Sequence, residues 1–271
     1  MKLEIFQVDA FTSRPFGGNP AAVVPLEAWL PDETMLAIAA ENNLAETAFF
    51  VKNGDSFDLR WFTPVIEVPL CGHATLASSH VIFNELGYEA EVIKFTTRMR
   101  GDLSVSRDGD KLVLDFPAYP MNEIEPIEML RDAEFPPLRY FESQDAMLIL
   151  LMESQKIVAE LQPDFSKIES LPYREVIVTA KGDNCDFASR MFAPKIGIPE
   201  DPVTGGIHCS LIPYWAKELG KNTLFARQVS QRGGELFCEF AGDRVKIGGY
   251  ATLYLKGEIF IEDAGMSTAG A

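Results

Sequence analysis

The 271-residue sequence predicts an α+β protein built from two similar barrel-like domains, each a curved, mostly antiparallel sheet around one central helix. Three observations lead to this fold. Short strand-like runs bounded by turn residues follow one another along most of the chain. One long apolar helical pattern stands in each half. One segment occurs twice, at residues 57–87 and 187–220, so we expect two related units.

The repeat is defined by aromatic, proline and glycine positions that keep their spacing. The matched pairs of its first part are Phe57 and Phe187, Arg60 and Arg190, Phe62 and Phe192, Pro64 and Pro194, Ile66 and Ile196, and Pro69 and Pro199. After a three-residue insertion in the second copy, Gly72 matches Gly205 and Gly87 matches Gly220. Both copies therefore predict a strand, a glycine turn and a helix. A natural ligand site lies where the two units meet.

In the first half, apolar patterns and turn residues define the elements in order. A helix is predicted from Pro31 to Asn42 and Asn43, because proline suits a first helical position. A second helix spans residues 74–86 and ends at Gly87, a typical C-cap. The predicted strands are residues 3–8, 21–24, 48–51 and 57–62, and a hairpin of 103–106 with 112–116 around Asp108-Gly109.

Residues 117–120, Pro-Ala-Tyr-Pro, interrupt this pattern, and we place a domain boundary there. The expected domains are 1–117 and 118–271, and the last strand can return to the first domain. Pro213 lies inside the second long helix pattern, where it would cost about 3 kcal/mol, so we expect a kink or a later helix start. The tail Gly265–Ala271 is expected to fray. The predicted strands are 146–152, 156–160, 175–180, 186–192, 236–240, 244–247, 250–255 and 257–262.

The composition narrows the class of partner. The net charge of -16 argues against nucleic acid or an acidic membrane, which bind through Lys and Arg contacts to phosphate. The longest uninterrupted apolar run, 146–152, is too short to span a bilayer, and the N-terminus does not resemble a secretory signal. We therefore expect a cytoplasmic protein. The four cysteines are dispersed, so we expect free thiols and no metal site.

The glycine turns of the repeat predict an anion-binding site. Cys71-Gly72-His73 and Thr204-Gly205-Gly206 each place small residues at a helix N-terminus, where backbone N–H groups attract an anion. If the two halves are related by a pseudo-twofold axis, both turns face one cleft that suits a carboxylate-bearing small molecule. The alternative is that these glycines only permit tight turns. Two copies in matching positions favour the site.

Three titratable residues are candidates for acid–base chemistry. Glu46 is a lone carboxylic acid in an apolar stretch, and such an acid can hold and release a proton near neutral pH. His73 and Asp201 stand beside the two glycine turns. For Glu46 the alternative is an exposed residue in a turn, and for His73 a structural hydrogen bond. His80 and His208 are interpreted as packing residues.

Cys71 offers a different chemistry. A thiol at a helix N-terminus has a lowered pKa and can act as a base or nucleophile. A two-thiol racemase needs a cysteine at both equivalent turns, but Thr204 stands opposite Cys71 in the glycine-aligned register. Cys209 lies further along the helix. The sequence keeps the geometry of a two-thiol epimerase and lacks its second thiol.

Five ordered motifs resemble the phenazine biosynthesis PhzF-like family, which has the diaminopimelate epimerase-like fold. They are residues 8–24, 43–50, 62–77, 200–221 and 226–236. The resemblance implies a cofactor-free isomerase, often a homodimer, with its site between two domains. By motif position it implies that Glu46 moves the proton and that His73 and Asp201 are also catalytic. The residues expected to bind the substrate are Asn19, Cys71, Gly72, Thr204, Gly205, Gly206, Arg232 and Gly233.

The sequence departs from the family pattern next to the second glycine turn. Gly206 and Ile207 stand where the family commonly has Ser and Ala, so a hydroxyl group that could contact substrate is missing. Gly233 and Gly234 could form a backbone nest for a carboxylate or a simple turn. The leading hypothesis is proton-transfer isomerisation of a small carboxylate by Glu46. The alternatives are a racemase or epimerase that uses Cys71, and a non-catalytic binding or scaffold protein.

Overall fold

The computed structural model of the protein describes residues 1–131 and 134–262. It has the predicted α+β architecture, in which a mixed and mostly antiparallel sheet surrounds two long buried helices. The tail Gly265–Ala271, which the sequence predicts to fray, lies outside the described residues. Within those residues, no helix combines the length and the apolar character needed to cross a membrane.

The strands of the first half begin at the N-terminus and end near the predicted boundary. They are β1 Lys2–Ala10, β2 Asn19–Leu26, β3 Glu46–Asn53, β4 Ser56–Phe62, β5 Glu67–Val68, β6 Val92–Thr97, β7 Gly101–Asp108, β8 Lys111–Pro117 and β9 Asn122–Ile124. Those of the second half are β10 Arg139–Ser143, β11 Met147–Leu151, β12 Glu175–Lys181, β13 Phe187–Ala193, β14 Ile198–Asp201, β15 Thr223–Gln228, β16 Gly234–Ala241, β17 Arg244–Gly249 and β18 Ala251–Phe260.

Within residues 1–131 and 134–262 the helices are fewer than the strands, and three of them exceed two turns. They are α1 Asp32–Asn42, α2 Gly72–His80, α3 Glu128–Arg131, α4 Gln155–Glu160, α5 Phe165–Ser170 and α6 Gly205–Leu219. A π-helical turn, Val81–Glu85, extends α2 to the length that the sequence predicts. Helix α1 has Pro31 at its N-cap and ends at Asn43, whose backbone is left-handed with φ 51°. Both ends therefore agree with the sequence prediction.

Two strand predictions in the second half are wrong. Residues 156–160 form helix α4, because the Ser154 side chain accepts a hydrogen bond from the Ile157 N–H at 3.3 Å and starts a helix there. A short apolar run cannot by itself distinguish a strand from a buried helix turn. The predicted strands 250–255 and 257–262 are one strand, β18, which pairs with β1 along its length.

The duplication in sequence is a duplication in topology. Strand β3 pairs antiparallel with β4, and β4 pairs parallel with β6. In the second half, β12 pairs antiparallel with β13, and β13 pairs parallel with β15. Matched residues occupy matched places, since Phe57 lies beside Phe95 and Phe187 beside Ala226.

A partly buried ion pair is repeated in both halves. The guanidinium group of Arg60 binds both carboxylate oxygens of Glu67, at 2.8 and 2.7 Å. Arg190 binds both carboxylate oxygens of Glu200, at 2.7 and 2.9 Å. Each guanidinium also lies over the phenylalanine two residues on, Phe62 or Phe192. The conserved spacing of arginine and phenylalanine in the repeat therefore fixes the segment that leads into each glycine turn.

Helices α2 and α6 run through the cores of their halves. Nearly every residue of α2 is buried, including Thr75, Ser78 and Ser79. These hydroxyl groups donate to backbone carbonyls four residues earlier, so their burial leaves no unsatisfied donor. A helix of small and hydroxylated residues can thus be a core element.

Helix α6 accommodates Pro213 without starting late. It begins at Gly205, as the repeat predicts, so the expectation of a later start is wrong. Proline has no N–H to donate to the carbonyl of Cys209, four residues earlier. The N–H of Tyr119 donates to that carbonyl instead, at 2.9 Å. The interrupted helix bond is therefore replaced by a bond from the segment that connects the two halves.

The chain crosses between its halves more than once. Strand β18 pairs with β1, so the C-terminal strand returns to the N-terminal half. Strand β17 pairs antiparallel with β8. The division into domains 1–117 and 118–271 stays a prediction.

Candidate active site

The starts of α2 and α6 meet at a cavity of about 140 Å³. Glu46, His73 and Asp201 line this cavity together, each less than a tenth exposed. Glu46 is the first residue of β3, His73 lies in the first turn of α2, and Asp201 ends β14. The structure therefore brings the three predicted acid–base residues to one place. Of the predicted substrate-binding residues, Cys71, Gly72, Thr204, Gly205 and Gly206 also line it.

The two helix starts touch through glycine. A Cβ atom on Gly72 would lie 3.2 Å from the Gly205 Cα, and one on Gly205 would lie 3.4 Å from the Gly72 Cα. Neither glycine has a positive φ, so close approach is the reason for glycine at both positions. The paired glycines of the repeat thus set how closely the two halves meet at the cavity.

Both helix starts can favour an anion. The N-cap residues Cys71 and Thr204 show no side-chain cap hydrogen bond to their helices. The Thr204 hydroxyl instead donates to Oδ2 of Asp201. Two helix N-termini face one cavity, and the dipole of each favours negative charge there.

Glu46 and His73 form a close pair. Oε2 of Glu46 lies 3.1 Å from Nε2 of His73, with both side chains buried. The contact has the distance of an ion pair but not the direction of a hydrogen bond, because Glu46 Oε2 has no directed donor among the described residues. The carboxylate is thus held beside the imidazole and keeps acceptor capacity toward the cavity.

Asn19 connects the residues behind the cavity. Its amide nitrogen donates to Oδ1 of Asp201 at 2.7 Å and to the carbonyl of Val203 at 2.9 Å. The same nitrogen lies 3.0 Å from Nδ1 of His73. The two N–H groups of the amide donate to these two oxygens, so Asn19 holds Asp201 and lies against Nδ1 of His73. Asn19 does not line the cavity, and its contacts are those of a positioning residue.

The protonation of His73 and Cys71 follows from burial and from Glu46. Burial lowers the pKa of His73, but the negative charges that Cys71 and Glu46 can carry raise it well above its usual value. Burial, reinforced by the charge of Glu46, raises the pKa of the Cys71 thiol to about 11. The expectation of a lowered thiol pKa at this helix start is therefore wrong, because desolvation outweighs the helix dipole.

Asp201 is held in place by two donors and is costly to ionise. Asn19 and Thr204 donate to its two oxygens. Burial raises the pKa of Asp201 to about 6, although the charge of His73 acts in the opposite direction. A carboxylic acid with this pKa changes its protonation close to neutral pH.

The raised pKa of Asp201 predicts that the free energy of unfolding depends on pH. Because the pKa rises from 3.8 to about 6 on folding, the folded protein binds a proton that the unfolded chain has released. The contribution of Asp201 to the free energy of unfolding is therefore complete below pH 4 and falls by roughly 3 kcal/mol as the pH rises through about 6. We expect Asp201→Asn to gain stability relative to the wild type over that interval. Urea unfolding of both proteins across this range measures the difference, and a difference that does not change with pH would contradict it.

The other two histidines do not line this cavity. His208 is buried in α6, its Nδ1 lies 2.8 Å from the Thr204 carbonyl, and its ring packs on Phe187. Burial lowers the pKa of His208 to about 4, so the ring is neutral and Nδ1 donates. His80 lies at the far end of α2 beside Asn84.

Arg232 and Gly233 lie away from this cavity. They line a separate cavity of about 550 Å³. The Arg232 guanidinium binds Asp9 and the carbonyls of Gly17 and Gly18, all at 2.8 Å. The carbonyl of Gly233 accepts from the N–H of Gly18 at 2.8 Å. These contacts fasten the turn after β15 to the loop after β1, and a role in substrate binding stays a prediction.

Three charged residues of the cavity were not predicted from the sequence. Arg100, Arg174 and Glu175 line it, and Glu175 is only 6% exposed. Arg174 and Glu175 lie outside both copies of the recognised repeat, so no motif signalled them. Strands β3 and β12 are structurally equivalent, and Glu46 and Glu175 are their first residues. Recognition of this equivalence would have predicted Glu175 as a site residue.

A metal ion has one candidate position among residues 1–131 and 134–262. Glu46, Cys71 and His73 place one ligand atom each within 4.8 Å of one another. All three are buried, and the thiol would have to lose its proton to bind a metal. That the protein needs no metal or other cofactor stays a prediction.

Comparison with known sequences identifies the family. The model described as phenazine biosynthesis-like protein, PhzC-PhzF, matches residues 8–257. An uncharacterized isomerase from Pseudomonas aeruginosa is 52% identical over 260 residues, which cover 96% of this chain and 99% of that protein. A mouse phenazine biosynthesis-like domain-containing protein is 42% identical over 289 residues, covering 96% of this chain and 99% of that protein.

Solved structures share the fold. A PhzF family protein from Enterococcus faecalis has a TM-score of 0.93 and 46% identity, covering 96% of this chain and 100% of that one. A predicted epimerase from Pseudomonas aeruginosa has a TM-score of 0.72 at 19% identity, covering 96% and 100%, and shows the fold alone. The diaminopimelate epimerase-like fold expected from the sequence is confirmed. The chain therefore belongs to the phenazine biosynthesis-like PhzC-PhzF family, and it is an isomerase.

Proposed function

We propose that this isomerase moves a proton between two positions of a small carboxylate-bearing metabolite, with Glu46 as general acid and base. One observation carries the proposal. A buried carboxylate, paired with an imidazole at 3.1 Å, shares a cavity of about 140 Å³ with two helix N-termini. Such an arrangement places a proton carrier beside an anion site.

The chemistry needs no group beyond those of the site. The Glu46 carboxylate takes a proton from a substrate carbon, and the electron pair of the broken C–H bond enters the adjacent conjugated system. Negative charge then develops on the substrate carboxylate, where the first-turn N–H groups of α2 and α6 can stabilise it. Protonated Glu46 returns its proton at another atom of that system. The substrate and product have the same composition, and Glu46 ends as it began.

His73 and Asp201 have supporting roles in this scheme. Nε2 of His73 lies 3.1 Å from Oε2 of Glu46, and the positive charge of a protonated imidazole there stabilises the ionised carboxylate. Asp201, anchored by Asn19 and Thr204, faces the cavity and accepts hydrogen bonds from polar substrate groups when ionised. General acid–base catalysis of this kind contributes about 10²- to 10⁴-fold to the rate.

A screen for solvent exchange tests the proposal. The protein is incubated in D₂O with small carboxylates that carry an unsaturated bond or an acidic C–H group, and deuterium in each compound is measured by mass spectrometry. In an isomerase that works by proton transfer, protonated Glu46 exchanges with solvent before it returns the proton, so the product gains label. Compounds that bind tightly and gain no label would favour the non-catalytic binding protein instead.

A racemase or epimerase that uses Cys71 is the competing mechanism. The raised pKa of this thiol keeps it protonated near neutral pH, where it is a weak base and nucleophile. We therefore expect Cys71→Ala to retain most of the exchange seen with the wild type. Loss of exchange from Cys71→Ala as severe as that from Glu46→Gln would support the thiol mechanism. Thermal unfolding of Cys71→Ala controls for damage to the core.

The proposed partner is a small carboxylate, with neither nucleic acid nor a membrane as a partner. The net charge of -16 supports this choice, because both of those surfaces are anionic. A cytoplasmic location and a homodimer are part of the proposal, and they rest on the sequence expectations alone.

A further inference from the structure

Glu175 is the structural counterpart of Glu46. In the first half, Phe49 of β3 lies opposite Arg60 of β4. In the second half, Val178 of β12 lies opposite Arg190 of β13. Since Arg60 and Arg190 are matched positions of the repeat, so are the residues three places before Phe49 and Val178. Those residues are Glu46 and Glu175, and each is the first of its strand.

The two glutamates share burial and location. Glu46 is 9% exposed and Glu175 is 6% exposed, and both line the cavity between the helix starts. Carboxylates are rarely this buried in proteins unless they have partners or a function. The pseudo-twofold relation therefore presents the cavity with one acid from each half.

The two acids differ in what stands beside them at the helix start. In the register that matches Gly72 with Gly205, the counterpart of His73 is Gly206. Glu46 has the His73 imidazole at 3.1 Å, and the equivalent place in the second half has no side chain. A Cβ atom on Gly206 would meet no atom within 4 Å, so that space is open. Gly206 itself lines the cavity.

Arg174 partly balances the charge of Glu175. Its Nη2 lies 3.5 Å from Oε1 of Glu175, and its side chain is 46% exposed. A carboxylate accepts hydrogen bonds at up to about four sites, so a ligand donor can join the partners that Glu175 already has. An ionised carboxylate donates none, so the ligand group that suits it is a donor, and a cationic donor suits it best.

We propose that Glu175 and the open space beside Gly206 form a second subsite, which binds a protonated nitrogen of the substrate remote from the carbon that reacts at Glu46. This subsite rests on the proposed function, since it completes the same cavity. The helix starts hold the substrate carboxylate, and the nitrogen occupies the position that an imidazole fills in the other half. Glu175 is thereby a specificity-determining residue.

Matched pairs of simple ligands test this subsite. β-Alanine and butyrate have the same heavy-atom skeleton with a terminal ammonium or methyl group, and 4-aminobutyrate and pentanoate form a longer pair. Acetate is too short to reach beyond the helix starts. Calorimetry gives the dissociation constant of each ligand. For at least one pair we expect the ammonium member to bind about tenfold more tightly, as a charge-assisted hydrogen bond permits.

Three variants test whether Glu175 and the space beside Gly206 cause the preference for the ammonium ligand. Glu175→Gln keeps the size of the side chain and should abolish the preference for the ammonium member. Gly206→Ala should weaken the binding of the ammonium ligands, because its methyl group fills the open space. It should leave the binding of acetate unchanged. Because its new Cβ meets no atom within 4 Å, this variant remains informative even if Glu175→Gln does not fold. Glu235→Gln removes a glutamate that lines the separate cavity, and it should behave as the wild type.

The results that would overturn the subsite are distinct from those that would overturn the proposed function. Equal binding of both members of every pair, or a preference that survives in both Glu175→Gln and Gly206→Ala, rules out the subsite. These measurements need no turnover. The solvent-exchange screen needs no ammonium group, so either proposal can fail while the other holds.

Discussion

Glu46→Gln should abolish turnover while leaving ligand binding nearly intact. Glutamine keeps the size of the side chain but cannot carry a proton to and from carbon, so we expect kcat to fall by about 10³-fold or more. The contact with His73 Nε2 at 3.1 Å can be kept by the amide oxygen, so the cavity keeps its shape. The measurement compares the rate of deuterium incorporation with the dissociation constant of the same compound.

An exposed glutamate of α1 provides the matched control for this change. Glu41→Gln removes one carboxylate from the last turn of the helix that precedes Glu46, and it should have wild-type kinetics. Because Glu46 is the proposed proton carrier, kcat should fall and KM should change little. If kcat of Glu46→Gln stayed within about tenfold of the wild-type value, the loss would be too small for a general acid–base residue, and the proposed role of Glu46 would be wrong.

Gly72→Ala should destabilise the protein and impair the site together. Its Cβ would lie 3.2 Å from the Gly205 Cα and 3.6 Å from a ring carbon of Phe116. One of these neighbours is backbone, so the helix starts must separate, at an expected cost of about 1–3 kcal/mol in the free energy of unfolding. Separation moves the first-turn N–H groups of α2 away from those of α6, so ligand affinity should fall as well.

Gly206→Ala is the control for this second prediction. It makes the same change in the first turn of the partner helix, where the added Cβ meets no atom within 4 Å. We expect its free energy of unfolding to equal or exceed that of the wild type, because alanine favours a helix over glycine. Urea unfolding of both variants decides the matter. Equal stability of Gly72→Ala and Gly206→Ala would mean that the helix starts do not need to touch.

Much of the fold could be predicted from the sequence, because the repeat consists of residues with specific structural roles. Arg60 and Arg190 make equivalent, partly buried ion pairs, and Gly72 and Gly205 lie in close contact with each other. Each of these roles admits few residue types, so the positions match in both copies. Residues 156–160 gave no such signal, since their helix depends on a cap by Ser154 and on the surrounding packing.

The site was predicted in part for similar reasons. Glu46, His73 and Asp201 lie in motifs, and they meet in one cavity. Glu175 was missed because the hairpin from Glu175 to Phe192 is one residue longer than that from Glu46 to Phe62, which breaks the spacing of the repeat. Arg232 also lies in a motif, and the sequence predicts that it binds the substrate. In the structure its guanidinium group binds Asp9 and two backbone carbonyls. A motif gives the identity of a residue and not what surrounds it.

The most direct test of the central claim is a crystal structure of the Glu46→Gln variant with a compound that the wild type labels in D₂O. Our account predicts that the ligand lies in the cavity between the starts of α2 and α6, with its labelled carbon within about 3.5 Å of the side chain at position 46. Its carboxylate should contact the backbone N–H groups of the two helix starts. A ligand bound in the separate cavity beside Arg232, with the cavity at position 46 unoccupied, would contradict the account.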